Sequence, residues 1–69
     1  MWRYEVGGAT TGVLCYLETK EEAFRVAMAQ AAKMHIVLEV WDRFAHYGSW
    51  DTWVTSGDYP KSVSRKQAA

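Results

Sequence analysis

The segment from Thr19 to Met34 has the clearest helical pattern in this chain, and it limits the possible folds more than any other feature. Thr19 followed three residues later by Glu22 is the signature of a capping box, which starts a helix. The apolar residues after it recur on one helical face, namely Ala23, Phe24, Ala27, Met28, Ala31 and Met34. We therefore predict a helix from Lys20 to Met34 or His35, with an apolar face that covers a sheet.

Alternating apolar and polar residues, which are typical of half-buried strands, occur twice before the helix and twice after it. These segments are residues 2–6, 13–18, 36–41 and 50–55. Gly7 and Gly8 suit the turn of a hairpin between the first two segments. The pattern predicts an α+β protein of order ββαββ, in which one helix packs on one face of a four-stranded, mainly antiparallel sheet.

The length of 69 residues indicates one domain, near the lower limit at which a hydrophobic core alone supports a fold. We assign residues 1–55 to this domain and the polar residues 56–69, with the only proline, to a flexible C-terminal tail. No apolar run reaches the roughly 18 residues of a membrane span, and no secretory signal pattern precedes the first strand. With a single cysteine as well, we expect a cytoplasmic protein without membrane contact.

The charged residues are distributed unevenly along the chain. Residues 1–60 contain eight acidic and five basic residues, a net charge of −3, and residues 61–69 contain three basic residues. An acidic body repels phosphate groups, and three basic residues make a short arm for nucleic acid. The charge therefore favours a protein partner over direct contact with nucleic acid.

One helix covers only one face of the predicted sheet, so the opposite face meets water or a partner. Placing charged residues outward directs Val13, Cys15, Leu17, Ile36, Leu38, Val40, Tyr4 and Trp50 toward the helix, with Trp2 as a further candidate. The outward set is Arg3, Glu5, Leu14, Tyr16, Glu18, Val37, Glu39, Trp41, Asp51 and Trp53. This outward set combines aromatic residues, which are enriched at binding hot spots, with carboxylates.

From this outward set we predict a partner-binding site. Trp41 and Trp53 are its expected anchors and Tyr16 and Leu14 its apolar surround, while the charged groups are Glu5, Glu39 and Asp51. Two other interpretations remain open. The aromatic residues can stabilise the sheet through cross-strand pairs, or the face can associate with a second copy of the chain.

The residues able to carry chemistry do not form a recognisable catalytic pattern. Cys15 is expected in the core, without a neighbouring base to activate its thiol. His35 is expected at the helix end and His46 in a loop, and one cysteine with two histidines gives no metal-ligand spacing. We therefore expect a protein that is not an enzyme and has no cofactor or metal.

Aromatic residues on a small sheet can stack nucleic-acid bases, so a single-stranded nucleic-acid-binding module is an alternative function. Such sites lie in basic grooves, however, whereas Glu5, Glu39 and Asp51 surround the aromatic rings here. Carboxylates beside aromatic rings suit a protein partner whose own surface is basic because it binds nucleic acid. A homodimeric structural module is a third alternative, so the chain is expected to be a monomer or a homodimer.

With its 69 residues, ββαββ layout, acidic and aromatic body and lack of a catalytic motif, the chain resembles the small phage-encoded anti-CRISPR proteins. The segment 19-TKEEAFRVAMAQAAKMHIVLEVWD-42 is also similar to a helix-then-strand unit of small bacterial domains. The first resemblance implies a stoichiometric inhibitor in the host cytoplasm. It would bind a type I CRISPR surveillance complex and block access to target DNA or recruitment of the nuclease.

Overall fold

The computed structural model describes residues 2–43, 49–57 and 59–66, with the backbone alone for residues 49–51 and 64–66. Its elements are β1 (Tyr4–Gly8), β2 (Gly12–Leu17), α1 (Lys20–Met34), β3 (Glu39–Asp42), β4 (Ser49–Val54) and β5 (Lys61–Lys66). The strands form one sheet in the order β2-β1-β3-β4-β5, and every neighbouring pair is antiparallel. The predicted α+β class, with one helix between the second and third strands, is confirmed.

The predicted number of four strands is wrong, because β5 (Lys61–Lys66) adds a fifth. This strand lies inside residues 56–69, which we assigned to a tail. Its sequence, KSVSRK, has Val63 as its one apolar residue, so it lacks the apolar alternation that identifies a strand. It is instead specified by its backbone ladder with β4, which runs from the pair Ser49 and Lys66 to the pair Val54 and Lys61.

The helix begins and ends where the sequence predicts. The amide of Glu22 donates to Thr19 Oγ1 over 3.2 Å, and the Thr19 hydroxyl donates to Glu22 Oε1 over 3.1 Å. The helix ends at Met34, and His35 follows with a φ of 57° in the left-handed region. The amides of His35 and Ile36 both donate to the carbonyl of Ala31, which closes the last turn.

The core lies between α1 and the strands β1, β2 and β3. Among the described residues, the buried apolar side chains are Tyr4, Val6, Ala23, Phe24, Ala27, Leu38 and Val40. Cys15, Leu17, Ala31, Ile36 and Trp53 are partly buried and pack against them. These positions confirm Ala23, Phe24, Ala27 and Ala31 of the predicted apolar helix face. Met28 is half-buried and lines an open groove, and Met34, the last residue of the helix, is 39% exposed.

A β-bulge in the first hairpin explains why Val13 does not face the helix as predicted. Val6 pairs with Cys15, whereas Gly7 pairs with Val13, so Leu14 has no partner on β1. Val13 is consequently 43% exposed. The strands approach so closely here that a Cβ on Gly7 would lie 2.3 Å from the Gly12 carbonyl oxygen. A side chain at position 7 would therefore force the hairpin apart.

Arg3 lies on the helix side of the sheet, and its predicted outward position is wrong. Its Nε donates to Asp42 Oδ1 and its Nη2 to Asp42 Oδ2, both over 2.8 Å. Asp42 pairs with the core residue Tyr4 and is 3% exposed. A buried carboxylate needs a cation and hydrogen bonds, and Arg3 supplies both. The charge-based rule failed because it treats every arginine as a residue that points to solvent.

Replacing Arg3 with Met should lower the free energy of unfolding by about 2 kcal/mol at neutral pH, because the buried Asp42 carboxylate loses its cation. Met keeps much of the length of the aliphatic stem. The matched control is Arg43→Met, which removes the exposed Arg43 from its 2.8 Å ion pair with Glu5 and should cost less than about 1 kcal/mol. Urea denaturation measures both; equal losses would contradict the assigned role of Asp42 burial.

Replacing His35 with Gly should raise the free energy of unfolding by roughly 0.5–1 kcal/mol, because glycine adopts the left-handed region without the steric cost of a Cβ. Thermal denaturation measures the change. His35→Val is the opposing variant and should lower stability, since a β-branched residue is strained at a φ of 57°. A lower stability for the glycine variant would show that the His35 side chain stabilises the helix end.

Candidate protein-binding face of the sheet

The side of the sheet opposite α1 carries two rows of side chains that run across the strands. Successive strands pair Tyr16, Glu5, Trp41, Thr52 and Val63 in the first row, and Gly7, Glu39, Val54 and Lys61 in the second. Residues of these rows alternate with Val6 and Val40, which are fully buried on the helix side. The two rows therefore define the outer face of the sheet, and no part of the helix covers it.

Two aromatic rings form one end of the outer face. The Trp2 and Tyr16 rings lie 4.7 Å apart at an interplanar angle of 46°, and they are 44% and 47% exposed. Trp2 was placed toward the helix on the assumption that the first strand began there. The strand begins at Tyr4 instead, so the alternation does not extend to Trp2. Sequence reasoning thus missed one aromatic residue of this face.

Trp41 lies in the middle of the outer face and is held by its neighbour two residues earlier. Its Nε1 donates to Glu39 Oε1 over 2.9 Å, and both side chains are half-buried. Thr52, its cross-strand partner, is completely buried, and its Oγ1 has no hydrogen-bond partner in the described part of the chain. Neighbouring atoms therefore cover Thr52, and the hydrogen bond to Glu39 orients the Trp41 ring before any partner arrives.

The charges on the outer face are partly compensated within the chain. Glu5 lies between Tyr16 and Trp41 in the first row, and its Oε2 is 2.8 Å from the Nε of Arg43. Glu39 contributes a second carboxylate next to Trp41, and Lys61 contributes an ammonium group at the far end of its row. The face is therefore mainly aromatic with carboxylates at its centre, and less acidic than the sequence suggested.

Trp53 lies on the helix side of the sheet, so its prediction as an outward anchor is wrong. It pairs with the buried Val40, its ring is 5.3 Å from the Phe24 ring and 6.4 Å from the Tyr4 ring, and Lys20 Nζ lies 5.2 Å from its centroid. The sequence-based prediction sets the phase of this strand by turning Asp51 to solvent. The pairing of Trp53 with Val40 sets it instead.

The structure brings four of the seven predicted site residues together on the outer face, namely Tyr16, Trp41, Glu5 and Glu39. Leu14 lies next to them at the bulge and is 40% exposed. Trp53 is separated from them by the sheet itself. The side chains of Asp51 and Trp50 lie outside the described residues, although both belong to β4.

Cys15 and His35, two of the residues able to carry chemistry, lie in the described part of the chain. Burial raises the pKa of the Cys15 thiol, which disfavours the reactive thiolate. His35 caps the helix, and His46 lies outside the described residues. In the described ranges no group of three His, Cys, Asp or Glu side chains is arranged to hold a metal ion.

An open groove of about 390 Å³ lies on the helix side, lined by Glu21, Phe24, Arg25, Met28, Tyr59 and Pro60. Tyr59 closes one wall, with its ring 5.5 Å from the Phe24 ring in an edge-on arrangement. Phe24 belongs to both the core and the groove, so the apolar lining is continuous with the core. Its charged residues belong to the exposed side of α1, and we assign the groove no ligand.

The fold and the outer face define a class: a small α+β protein with one helix on a five-stranded antiparallel sheet and an aromatic open face. Comparisons with family models, with curated proteins and with solved structures find no match to this chain. α1, the single helix of the described residues, is too short and too polar to cross a membrane. The function must therefore be argued from the outer face.

Replacing Trp53 with Ala should lower the free energy of unfolding by about 3 kcal/mol, because the indole packs against Phe24 and Tyr4. Trp41→Ala is the matched control and should cost less than half as much, since its ring packs on the outer face alone. Urea denaturation measures both variants. A Trp53 variant as stable as the wild type would contradict the placement of this indole in the core.

Proposed function

We propose that this chain is a non-enzymatic binding protein that docks its outer face onto another protein. The observation that carries the proposal is the position of Trp41, a half-buried indole oriented by Glu39 in the middle of a face that the helix leaves open. Aromatic side chains held in place in this way lose little entropy on binding and form typical hot spots. Trp2 and Tyr16 extend the apolar contact area beside it.

The partner is proposed to have a basic surface that normally binds nucleic acid. Glu5 lies between two aromatic residues of the first row, and Glu39 adjoins Trp41, so carboxylates occupy the centre of the contact area. A cationic side chain of a partner can approach both the rings and the carboxylates, through cation–π and ionic contacts. A phosphate group at the same place would meet negative charge.

The specific target that we propose is a type I CRISPR surveillance complex, with the chain acting as a stoichiometric inhibitor in the cytoplasm. Support for this target comes from the resemblance in size and layout to anti-CRISPR proteins, together with the aromatic face flanked by carboxylates. Binding at the DNA-binding surface of the complex would exclude target DNA, and binding elsewhere on the complex would exclude the nuclease.

Trp41→Ala should weaken binding to such a complex by about 2 kcal/mol, roughly 30-fold in Kd, because the central anchor is removed. Biolayer interferometry with an immobilised type I complex measures the affinity, and a DNA-binding assay of the same complex measures inhibition. Tyr59→Ala is the matched control, since Tyr59 is an exposed aromatic residue on the helix side. Its affinity should equal that of the wild type.

These measurements test the proposed target and the proposed docking face separately. If the wild type leaves DNA binding and nuclease recruitment by the complex unchanged, the CRISPR target is wrong. If the wild type binds the complex and the two variants bind equally well, the outer face is not the docking surface.

Binding of single-stranded nucleic acid is the second candidate, and one observation favours it. The basic residues Lys61, Arg65 and Lys66 lie in β5 rather than in a free tail, so they border the same sheet as the aromatic residues. Oligonucleotide binding that weakens steeply as salt increases would support this candidate, because phosphate contacts release counterions. The central position of Glu5 and Glu39 is the reason that we rank it second.

A further inference from the structure

The two edges of the sheet differ sharply in charge. β5 forms one edge and contains Lys61, Arg65 and Lys66. Charged residues, lysine above all, are a common protection of edge strands against pairing with another chain. β2 forms the opposite edge, and from Gly12 to Leu17 it contains no charged residue and no proline. The β2 edge therefore lacks the protection that the β5 edge has.

The β2 edge also exposes much of its apolar surface. Val13 is 43% exposed, Leu14 40% and Tyr16 47%, and in the described part of the chain β1 is the sole strand beside β2. The Trp2 ring contacts the tilted Tyr16 ring and enlarges this apolar surface on the outer face. An exposed apolar edge strand is a template for the addition of another strand. The bulge at Leu14 leaves Cys15, Tyr16 and Leu17 in regular register with β1.

The absence of charged residues from β2 is compatible with pairing to a second copy of the same strand. In a two-fold antiparallel pair centred on Cys15, Tyr16 lies opposite Leu14 of the other copy. Pairs of aromatic and apolar residues across strands are stabilising. Glu18, the nearest charge after β2, then lies opposite Gly12, so no like charges face each other.

We propose that β2 pairs with β2 of a second copy of this chain, so that two five-stranded sheets join into one continuous sheet. The size of the core supports this partner, because two of the seven buried apolar side chains in the described residues are the alanines Ala23 and Ala27. A chain of this length gains stability by burying further apolar surface in a dimer. The pairing is independent of the proposed inhibitor function, and it would place the two outer faces side by side.

The test is the mass in solution, measured by light scattering during size-exclusion chromatography over a range of protein concentrations. The wild type should have twice the 7.9 kDa mass of one chain. Leu14→Lys and Tyr16→Lys should each shift the mass to that of one chain, because the two-fold axis brings the two introduced ammonium groups close together. Circular dichroism verifies that each variant keeps the wild-type fold, and either variant alone suffices if the other unfolds.

Two lysine substitutions away from β2 are matched controls. Val37→Lys changes a residue that is 66% exposed and precedes β3, and Val63→Lys changes the opposite edge strand. Both should remain dimeric. A wild type with the mass of one chain at every concentration would overturn the proposal, as would a dimer that persists in folded Leu14→Lys and Tyr16→Lys variants. A dimer lost instead on Trp41→Ala would also overturn it and would indicate association through the outer face.

Discussion

The packing of this protein depends on the difference in width between one helix and a five-stranded sheet. A helix with its side chains is about 10 Å across and covers about two strands, which lie about 4.8 Å apart. α1 packs over β1 and its neighbours, so β4 and β5 extend past it. Trp53 and Tyr59 fill that gap by reaching Phe24 from the far side. The Trp53 indole, which the sequence predicts to be a partner contact, instead covers a part of the sheet that the helix is too narrow to reach.

The same geometry explains which parts of the fold could be predicted. The helix was predictable to within one residue because Thr19 and Glu22 mark its start and the apolar period of 3.6 marks its face. The inward positions of Leu38 and Val40 followed from β-branched and apolar alternation. β5 was not predictable, because it pairs on one side and its described side chains, Lys61, Ser62 and Val63, are exposed, so it needs no apolar pattern. The position of β5 is determined by its backbone pairing with β4.

The wrong positions of Arg3 and Trp53 share one cause, namely the expectation that charged residues face solvent in every strand. Arg3 is a charged residue that faces the core side because Asp42 is buried there. In β4, turning Asp51 outward moved Trp53 to the wrong face, since a shift of one residue moves every side chain of a strand to the other side. Glu5, Trp41 and Glu39 were placed correctly because outward charge in β1 and β3 agrees with the inward Val6 and Val40. Tyr16 pairs with Glu5 on the same face.

The three tryptophans with described side chains lie on different faces of the sheet. Trp53 is on the helix side, and Trp2 and Trp41 are on the outer face. Trp53 packs against core residues, so its replacement is expected to lower stability, whereas Trp2 and Trp41 lie on the face that α1 leaves uncovered. Thr52 is buried beneath this face without a hydrogen-bond partner in the described residues, a cost that packing around Trp41 must offset. A sheet face that only contacts water needs neither an indole oriented by a hydrogen bond, as Trp41 is, nor a buried hydroxyl without a described partner, as in Thr52. This difference is the physical argument for the proposed binding role.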